Sequence, residues 1–206
     1  MTLLGIECAT ESCSVALFDR GALVSGTARV LGRGHAEALI PMIAELPGKG
    51  RAQRIAVSLG PGSFTGLRVG LAAARALALA WQGELVGYST HALIAAMACA
   101  QTGAREAGVA MTGGHGEWFV SRFDDRGQAM LQPRSLIPAR AAEVLEIDLV
   151  AGSQAEALVE LRGRGRALKL LPDARQLSLL GDAAFSPAIQ LDYGRPPDAR
   201  LPVSKG

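Results

Sequence analysis

Residues 54–70 have the sequence RIAVSLGPGSFTGLRVG, and they predict the fold more clearly than any other stretch of the chain. The apolar run at 54–59 is typical of a buried strand, and the alanine- and leucine-rich run that ends at Trp81 is typical of a helix. A loop joins the two runs and consists of Gly60, Pro61, Gly62, Ser63, Phe64, Thr65 and Gly66. We therefore expect a strand that turns tightly into a helix, which is the repeating unit of an α/β fold.

The segments on either side of this unit extend the same pattern. Apolar runs separated by polar turns predict three strands and a helix before it, and a strand and a helix after it. The predicted strands are 3–8, 13–18, 22–31 and 84–88, and the predicted helices are 35–46 and 89–100. The first hundred residues thus have the order β-β-β-α-β-α-β-α, a strand meander that leads into right-handed crossovers.

The second half of the chain repeats this order more faintly. Its predicted strands are 108–111, 117–123, 128–132 and 148–151, and its predicted helices are 139–146 and 153–162. The turn sequence FDRG at 18–21 has a near copy, FDDRG, at 123–127. We predict an internal duplication with two domains, residues 1–103 and residues 104–206, the second of which ends in an extended tail.

Composition narrows the class of protein. The chain has 206 residues, of which 49% are apolar, so it can bury a sizeable core. Its net charge of +2 is far from the dense positive charge that autonomous nucleic-acid binding requires.

The longest apolar run, 69–81, is short for a membrane span and carries Arg75, and the N-terminus lacks the features of a signal peptide. Cys8, Cys13 and Cys99 have no metal or redox spacing and are expected to be reduced thiols, as in a cytoplasmic protein.

The loop at 60–66 allows two interpretations. Ser63 and Thr65 offer caps and backbone N–H groups that would suit a bound anion at the start of a helix. No lysine follows at the spacing of a phosphate-binding P-loop, and Thr65 occupies the place of the third glycine of a dinucleotide fingerprint. The alternative is a tight turn whose glycines permit close packing.

The helix that follows also allows two interpretations. Gly66, Gly70 and Ala74 form a stripe of small residues at intervals of four, along which another helix would approach closely. Arg68 and Arg75 lie seven residues apart and therefore share a face of the helix. The pattern fits an interface with a partner protein, or an intramolecular helix contact with two solvated arginines.

The histidines argue against a metal site. His35, His91 and His115 are the three in the chain, and none is followed by a second histidine four residues later. His35 and His91 fall at predicted helix starts, where we expect cap or surface positions. We find no nucleophile, base and acid in a spacing that predicts catalysis.

Three stretches of the sequence together carry a family resemblance. They are LGIECAT at 4–10, GHAEALIPMI at 34–43 and GPGSFTGLRVG at 60–70. The chain resembles the TsaB (YeaZ) family of bacterial tRNA threonylcarbamoyladenosine biosynthesis subunits, most closely over residues 3–100. The resemblance implies an α/β fold of the actin/Hsp70/sugar-kinase-like type (ASKHA, RNase H-like), with two duplicated βββαβα halves. It also implies no metal, because Thr90 and Ile94 stand where the related catalytic subunit TsaD carries a histidine pair.

The resemblance further implies a function and a set of partners. Family members are not transferases themselves: they bind TsaD and, with the ATPase TsaE, support transfer of threonylcarbamoyl to the adenosine beside the anticodon of tRNA. The tRNA is then contacted through the complex, and the subunit alone is expected to form a homodimer. The implied interface lies on the first two helices and includes His35, Leu39, Met42, Ile43, Gly66, Arg68, Gly70, Ala74 and Arg75.

A nucleotide site is implied less directly, and several departures keep alternatives open. No cofactor is expected to bind tightly, but ATP or ADP would fit at the complex interface, lined by Thr10, Ser12, Gly113 and Gly114. Glu7 replaces the usual aspartate of the first strand, and the run at 112–119 departs from the family pattern. The alternatives are an ATP-using phosphotransferase, with Glu7 and Glu11 as candidate bases, or a metalloprotease of the same fold. The arginines at 162, 164 and 166 form a basic segment that fits tRNA binding or a solvated loop.

Overall fold

The first half of the chain forms a five-stranded sheet with three helices. The structure is a computed structural model and describes residues 1–194. The elements are β1 (Thr2–Glu7), β2 (Ser12–Asp19), β3 (Ala22–Val30), α1 (His35–Ala44), β4 (Arg54–Ser58), α2 (Phe64–Trp81), β5 (Glu84–Tyr88) and α3 (Thr90–Thr102). A short 3₁₀ helix, Pro47–Gly50, joins α1 to β4. The strand order is β3-β2-β1-β4-β5, with β1 antiparallel to β2 and parallel to β4.

The second half builds a sheet of the same order. Its elements are β6 (Glu106–Thr112), β7 (Trp118–Asp124), β8 (Ala129–Leu136), α4 (Pro138–Val144), β9 (Leu149–Ala151), α5 (Ala155–Arg162) and β10 (Arg166–Leu168). The strand order is β10-β9-β6-β7-β8, which reproduces that of the first sheet from the other edge. The predicted α/β fold with duplicated halves is confirmed.

Helix α3 lies between the two sheets. Its residues from Thr90 to Cys99 are all buried, so it has no polar face. One continuous core joins it to Ala56, Val86 and Tyr88 of the first sheet and to Val109, Met111, Phe119 and Phe123 of the second. A helix that is apolar on all sides is stable in water only when it is covered on all sides. The run of alanines in α3 therefore requires the two halves to pack together.

Helices α1 and α2 cover the opposite face of the first sheet. The core on that side contains Leu4 and Ile6 of β1 together with Leu39, Met42 and Leu71 of the two helices. By length and composition alone α2 is apolar enough to cross a membrane, a test that core helices also pass. Only 28% of that window is buried, so α2 presents much of its apolar surface outward.

The last described residues return to the first half. Two 3₁₀ helices, Ala174–Leu179 and Asp182–Ala184, follow β10. The N–H of Ala174 donates to Oγ of Ser14 at 2.8 Å, and Ser186 forms a β-bridge with Gly87. The N–H of Asp192 donates to the carbonyl of Leu59 at 2.8 Å. We call residues 173–194 the C-terminal strap. The rest of the predicted tail, 195–206, lies outside the described residues.

Candidate functional site

The loop at 60–66 is packed against the β1–β2 turn. The N–H of Ser63 donates to the carbonyl of Ala9 at 2.7 Å, and Oγ of Ser63 accepts from the N–H of Gly66 at 3.3 Å. A Cβ on Gly62 would lie 2.2 Å from the Ala9 carbonyl oxygen. These N–H groups are satisfied within the chain and the glycines allow backbone to approach backbone. For these two N–H groups the geometry fits the interpretation of the loop as a tight turn.

The stripe of small residues on α2 faces inward. Gly66, Gly70 and Ala74 are all buried, and a Cβ on Gly66 would lie 2.0 Å from the carbonyl oxygen of Cys8. The stripe therefore seats α2 on the chain's own first strand, and these three residues are closed to a partner. Of the two interpretations of this pattern, the structure adopts the intramolecular contact for the glycines and the alanine.

The residues predicted at the interface on α1 are also buried. His35, Leu39, Met42 and Ile43 all lie inward, so they cannot touch a partner in this conformation. Nε2 of His35 lies 2.9 Å from the carbonyl oxygen of Thr10, which ties the start of α1 to the β1–β2 turn. Their assignment to the interface is corrected: they position α1, and its outer side chains form the surface.

His91 is a core residue. Its side chain is fully buried, and Nδ1 lies 2.7 Å from Oγ of Ser121, so it links α3 to the second sheet. Burial lowers the pKa of His91 to about 3, which keeps the imidazole neutral. The expectation of a cap or surface position was wrong for both histidines, because each first helical turn packs against another part of the chain.

The open surface of the two helices consists mainly of small and apolar side chains, with two arginines, Glu37 and Thr65 also exposed. Leu79 is 83% exposed and Ile40 is 51% exposed. The exposed residues on α1 include Ala36, Ile40, Pro41 and Ala44, and those on α2 include Arg68, Ala72, Arg75, Ala76, Leu79 and Ala80. Because α1 and α2 pack against each other, these residues lie on adjoining helices. We call them the α1–α2 face.

An aromatic and guanidinium cluster lies at the N-terminal end of this face. The guanidinium carbon of Arg68 lies 3.6 Å from the centroid of the Phe64 ring, and Nε of Arg68 donates to the hydroxyl of Tyr193 at 3.2 Å. The Phe64 and Tyr193 rings are 5.1 Å apart. Tyr193 belongs to the C-terminal strap and is 125 residues from Arg68, so no local pattern in the sequence pointed to it.

The predicted nucleotide lining falls on two separate turns. The N–H of Ser12 donates to Oγ1 of Thr10 at 3.1 Å, and both residues are buried at the β1–β2 turn. The N–H of Gly113 donates to the carbonyl of Glu117 at 2.8 Å within the β6–β7 turn, where Gly114 also lies. A cavity of about 230 Å³ between the halves is lined by neither pair; its walls include Gly60, Ser89, Phe123, Gln132 and Gln190.

Glu7 points into the protein. Its carboxyl group is fully buried and accepts from the N–H of Ala9 at 2.8 Å and from the hydroxyl of Tyr88 at 3.2 Å. Burial raises the pKa of Glu7 to about 7, while hydrogen bonds from Ala9, Ser58, Tyr88 and Thr90 act in the opposite direction. As a candidate base it has no contact with solvent, and Glu11 is exposed on the turn. Within residues 1–194, no three His, Cys, Asp or Glu side chains converge to hold a metal ion.

The two matching sheets with a shared central helix define a protein of the ASKHA class. Two solved structures from Pseudomonas aeruginosa, one of them named YeaZ, are similar to this chain, with a TM-score of 0.74 and 30% identity. The match covers 85% of this chain and 88% of theirs. A family model described as "TsaD: tRNA N6-adenosine threonylcarbamoyltransferase" matches residues 29–188. The chain belongs to this family, and within it to the TsaB (YeaZ) group that its motifs indicated.

Two curated relatives carry the name "tRNA threonylcarbamoyladenosine biosynthesis protein TsaB". The protein from Escherichia coli is 33% identical over 147 residues, which is 65% of this chain and 63% of the relative. The protein from Haemophilus influenzae is 40% identical over 83 residues, which is 38% of this chain and 35% of the relative. This chain therefore spans less than two thirds of the length of either curated relative in these matches.

Proposed function

We propose that this protein is a non-catalytic subunit in tRNA threonylcarbamoyladenosine biosynthesis and binds a TsaD-like catalytic subunit through the α1–α2 face. The observation that carries the proposal is an exposed apolar surface on two adjoining helices, on which Leu79 is 83% exposed. Large exposed apolar patches on a folded domain are typical of protein interfaces. The names of the two curated relatives supply the biosynthetic context.

The side chains of the face suit close association with another helix. Ala72, Ala76 and Ala80 are exposed and small, so a partner helix can approach the backbone of α2 along them. Leu79 and Ile40 supply the apolar contact. Arg68 and Arg75 are exposed on the same helix, and arginine is among the residue types enriched at interfaces. The buried residues Gly70 and Ala74 act only by holding α2 in place.

The remaining partners follow from the same proposal. When the catalytic subunit is absent, two copies of the protein would form a homodimer through the α1–α2 face, because the same exposed apolar surface is then buried between them. A TsaE-like ATPase, ATP or ADP, and the tRNA would then join the complex rather than this subunit alone. The net charge of +2 agrees with indirect tRNA contact, and Arg162 is engaged by the carbonyl groups of Leu145 and Arg164. We also propose a cytoplasmic location, because the proposed function is in tRNA modification.

Replacing Leu79 with glutamate should weaken binding to the cognate TsaD-like subunit by about 30-fold or more, since burying an unpaired charge within an interface costs at least about 2 kcal/mol. Titration calorimetry of the two purified subunits measures the affinity. Light scattering of the variant alone should show loss of the homodimer, because one face serves both contacts.

The matched control is Leu161→Glu. Leu161 is a leucine on α5 in the other half and is 54% exposed, so the same change is made on a surface outside the proposed interface. We expect its binding and its oligomeric state to be those of the unmodified protein. Equal affinity of Leu79→Glu and Leu161→Glu for the catalytic subunit would refute the interface.

A further inference from the structure

Cys8 and Cys13 lie on either side of the β1–β2 turn: Cys8 directly follows β1, and Cys13 is the second residue of β2. In the antiparallel pairing of β1 with β2, Glu7 is opposite Ser14, and this is the last pair of the register. Cys8 and Cys13 are the next residues on the side of the turn. Their sulfur atoms are 3.6 Å apart. A disulfide bond is about 2.05 Å long and joins residues on adjacent backbone segments. The two sulfurs therefore need to approach by only about 1.5 Å.

The two thiols differ from the third cysteine in their surroundings. All three are free and buried, but Cys99 has the acidic residues Asp125, Asp124 and Glu106 near it, and its burial raises the thiol pKa to about 11. Cys8 and Cys13 share a hydrogen bond, which lowers the pKa of Cys13 and raises that of Cys8, while burial and the nearby Glu7 act to raise the pKa of both thiols. In thiol–disulfide exchange the thiolate is the attacking species, so Cys13 is the more reactive member of the pair.

We propose that Cys8 and Cys13 form a reversible disulfide when the protein meets a low-molecular-weight disulfide such as oxidised glutathione. The thiolate of Cys13 attacks one sulfur of the oxidant, whose S–S bond breaks and releases one thiol. The sulfur of Cys8 then attacks the mixed disulfide at Cys13 and releases the second thiol. Two cysteine thiols are oxidised, one disulfide is reduced, and the two protons leave on the released thiols.

The position of the pair connects it to the rest of the fold. Cys8 and Cys13 flank the β1–β2 turn. On this turn the carbonyl of Ala9 accepts a hydrogen bond from the N–H of Ser63, and the carbonyl oxygen of Thr10 lies beside Nε2 of His35. These contacts seat the starts of α2 and α1. A disulfide across the base of the turn moves the backbone that carries both contacts. An effect on the α1–α2 face follows, and this second step rests on the proposed function.

Both sulfurs are fully buried, so the turn must open for an oxidant to reach them. Glu11 at the tip is exposed, and a short turn opens locally at less cost than the whole domain. We therefore expect oxidation over minutes to hours rather than at the rate of an exposed thiol.

Mass spectrometry of the oxidised, alkylated protein tests the disulfide. Trypsin releases residues 1–20 as one peptide that contains both cysteines, whereas Cys99 lies in the peptide 76–105. After incubation with oxidised glutathione, the peptide 1–20 should lack two hydrogens and carry no alkyl group. A reducing agent applied before alkylation should restore two alkyl groups.

Three variants control the assignment. Cys99→Ser should behave as the unmodified protein does, whereas Cys8→Ala and Cys13→Ala should not form the intrapeptide disulfide. Circular dichroism of each variant shows whether it is folded. A stable glutathione adduct at Cys13, or full alkylation of both cysteines after prolonged oxidation of the folded protein, would overturn the proposal.

The second step is measured separately. Affinity for the TsaD-like subunit should differ between the reduced and the oxidised protein, and the difference should vanish in Cys8→Ala. A disulfide that forms without changing the affinity would leave the modification site standing and remove its coupling to the α1–α2 face. If the reduced protein does not bind the catalytic subunit at all, the proposed function fails while the disulfide result is unaffected.

Discussion

The Gly66→Ala variant is expected to lose about 3 kcal/mol of its free energy of unfolding, because the added methyl group has no space. The Cβ atom would lie 2.0 Å from the carbonyl oxygen of Cys8. The obstructing atom belongs to the backbone directly after β1, the central strand of the sheet, so no side chain can rotate away to relieve the clash. Either α2 moves away from β1, or the β1–β2 turn moves away from α2.

Thermal unfolding followed by circular dichroism measures the effect. For a chain of this length, a loss of about 3 kcal/mol corresponds to a fall in Tm of roughly 6 to 12 °C. Either movement also separates Ser63 from Ala9, so we expect faster hydrogen exchange at the start of α2 in this variant.

Gly70→Ala is the matched control one helical turn further along. The new Cβ would meet Cβ of Cys8 at 3.4 Å and the Val57 side chain at 3.6 Å, which are ordinary contacts. Alanine also has a higher helix propensity than glycine by about 1 kcal/mol. Gly70→Ala should therefore be as stable as the unmodified protein or more so. Similar Tm values for the two variants would show that the close approach at Gly66 is absent.

The Glu7→Gln variant is expected to be more stable than the unmodified protein above about pH 7, by an amount on the order of 3 kcal/mol. Glu7 is fully buried, and burial raises the pKa of its carboxyl group from 4.5 to about 7. The glutamine amide keeps an oxygen that can accept from Ala9 and Tyr88, and it carries no charge. Burial also holds the pKa of Tyr88 well above its usual value, so its hydroxyl remains a donor.

The sign of the pH dependence follows from the raised pKa. Below the unfolded-state pKa of 4.5 the carboxyl is protonated in both states, and the favourable contribution of the neutral group is complete. As the pH rises from there through about 7, the folded protein holds a proton that the unfolded chain has lost, so stability falls. Glu7→Gln removes this fall.

His91 titrates in the opposite direction, so the difference between the two proteins is the quantity to measure. Its pKa is lowered from 6.5 to about 3 in the folded state, which makes stability rise with pH between those values. This contribution of His91 to the pH dependence of stability is the same in both proteins, so it cancels when their free energies of unfolding are subtracted. Urea unfolding of both proteins between about pH 5 and pH 8 should give free energies that diverge with rising pH. Parallel curves would contradict a buried, proton-holding Glu7.

The same variant separates the scaffold proposal from an ATP-using enzyme. A base that is enclosed by Tyr88 and the Ala9 backbone cannot reach a substrate, so we expect Glu7→Gln to bind the catalytic subunit as the unmodified protein does. Turnover of ATP by the isolated protein that disappears in Glu7→Gln would favour the phosphotransferase alternative.

Most element positions could be predicted because they depend on local patterns. The predicted helix that ends at Trp81 ends there in the structure, and the predicted strand 84–88 coincides with Glu84–Tyr88. Strand β8 runs to Leu136, beyond the predicted end at residue 132. The added residues include Pro133, which has no N–H to donate, and β8 is at the edge of its sheet, where proline is tolerated.

The amino-acid sequence by itself determined the order of the elements, the duplication and the family, since turn residues, apolar runs and the GPGSFTGLRVG motif are all contiguous. Only the tertiary structure decided which side of α2 faces inward. Alanine and glycine suit a close contact within the chain as well as one with a partner, and the pattern alone does not distinguish the two. The tertiary structure also decided the contact of Arg68 with Tyr193 and the burial of His91 against Ser121, which join residues 125 and 30 positions apart. Such contacts depend on how the elements pack, and no local propensity encodes them.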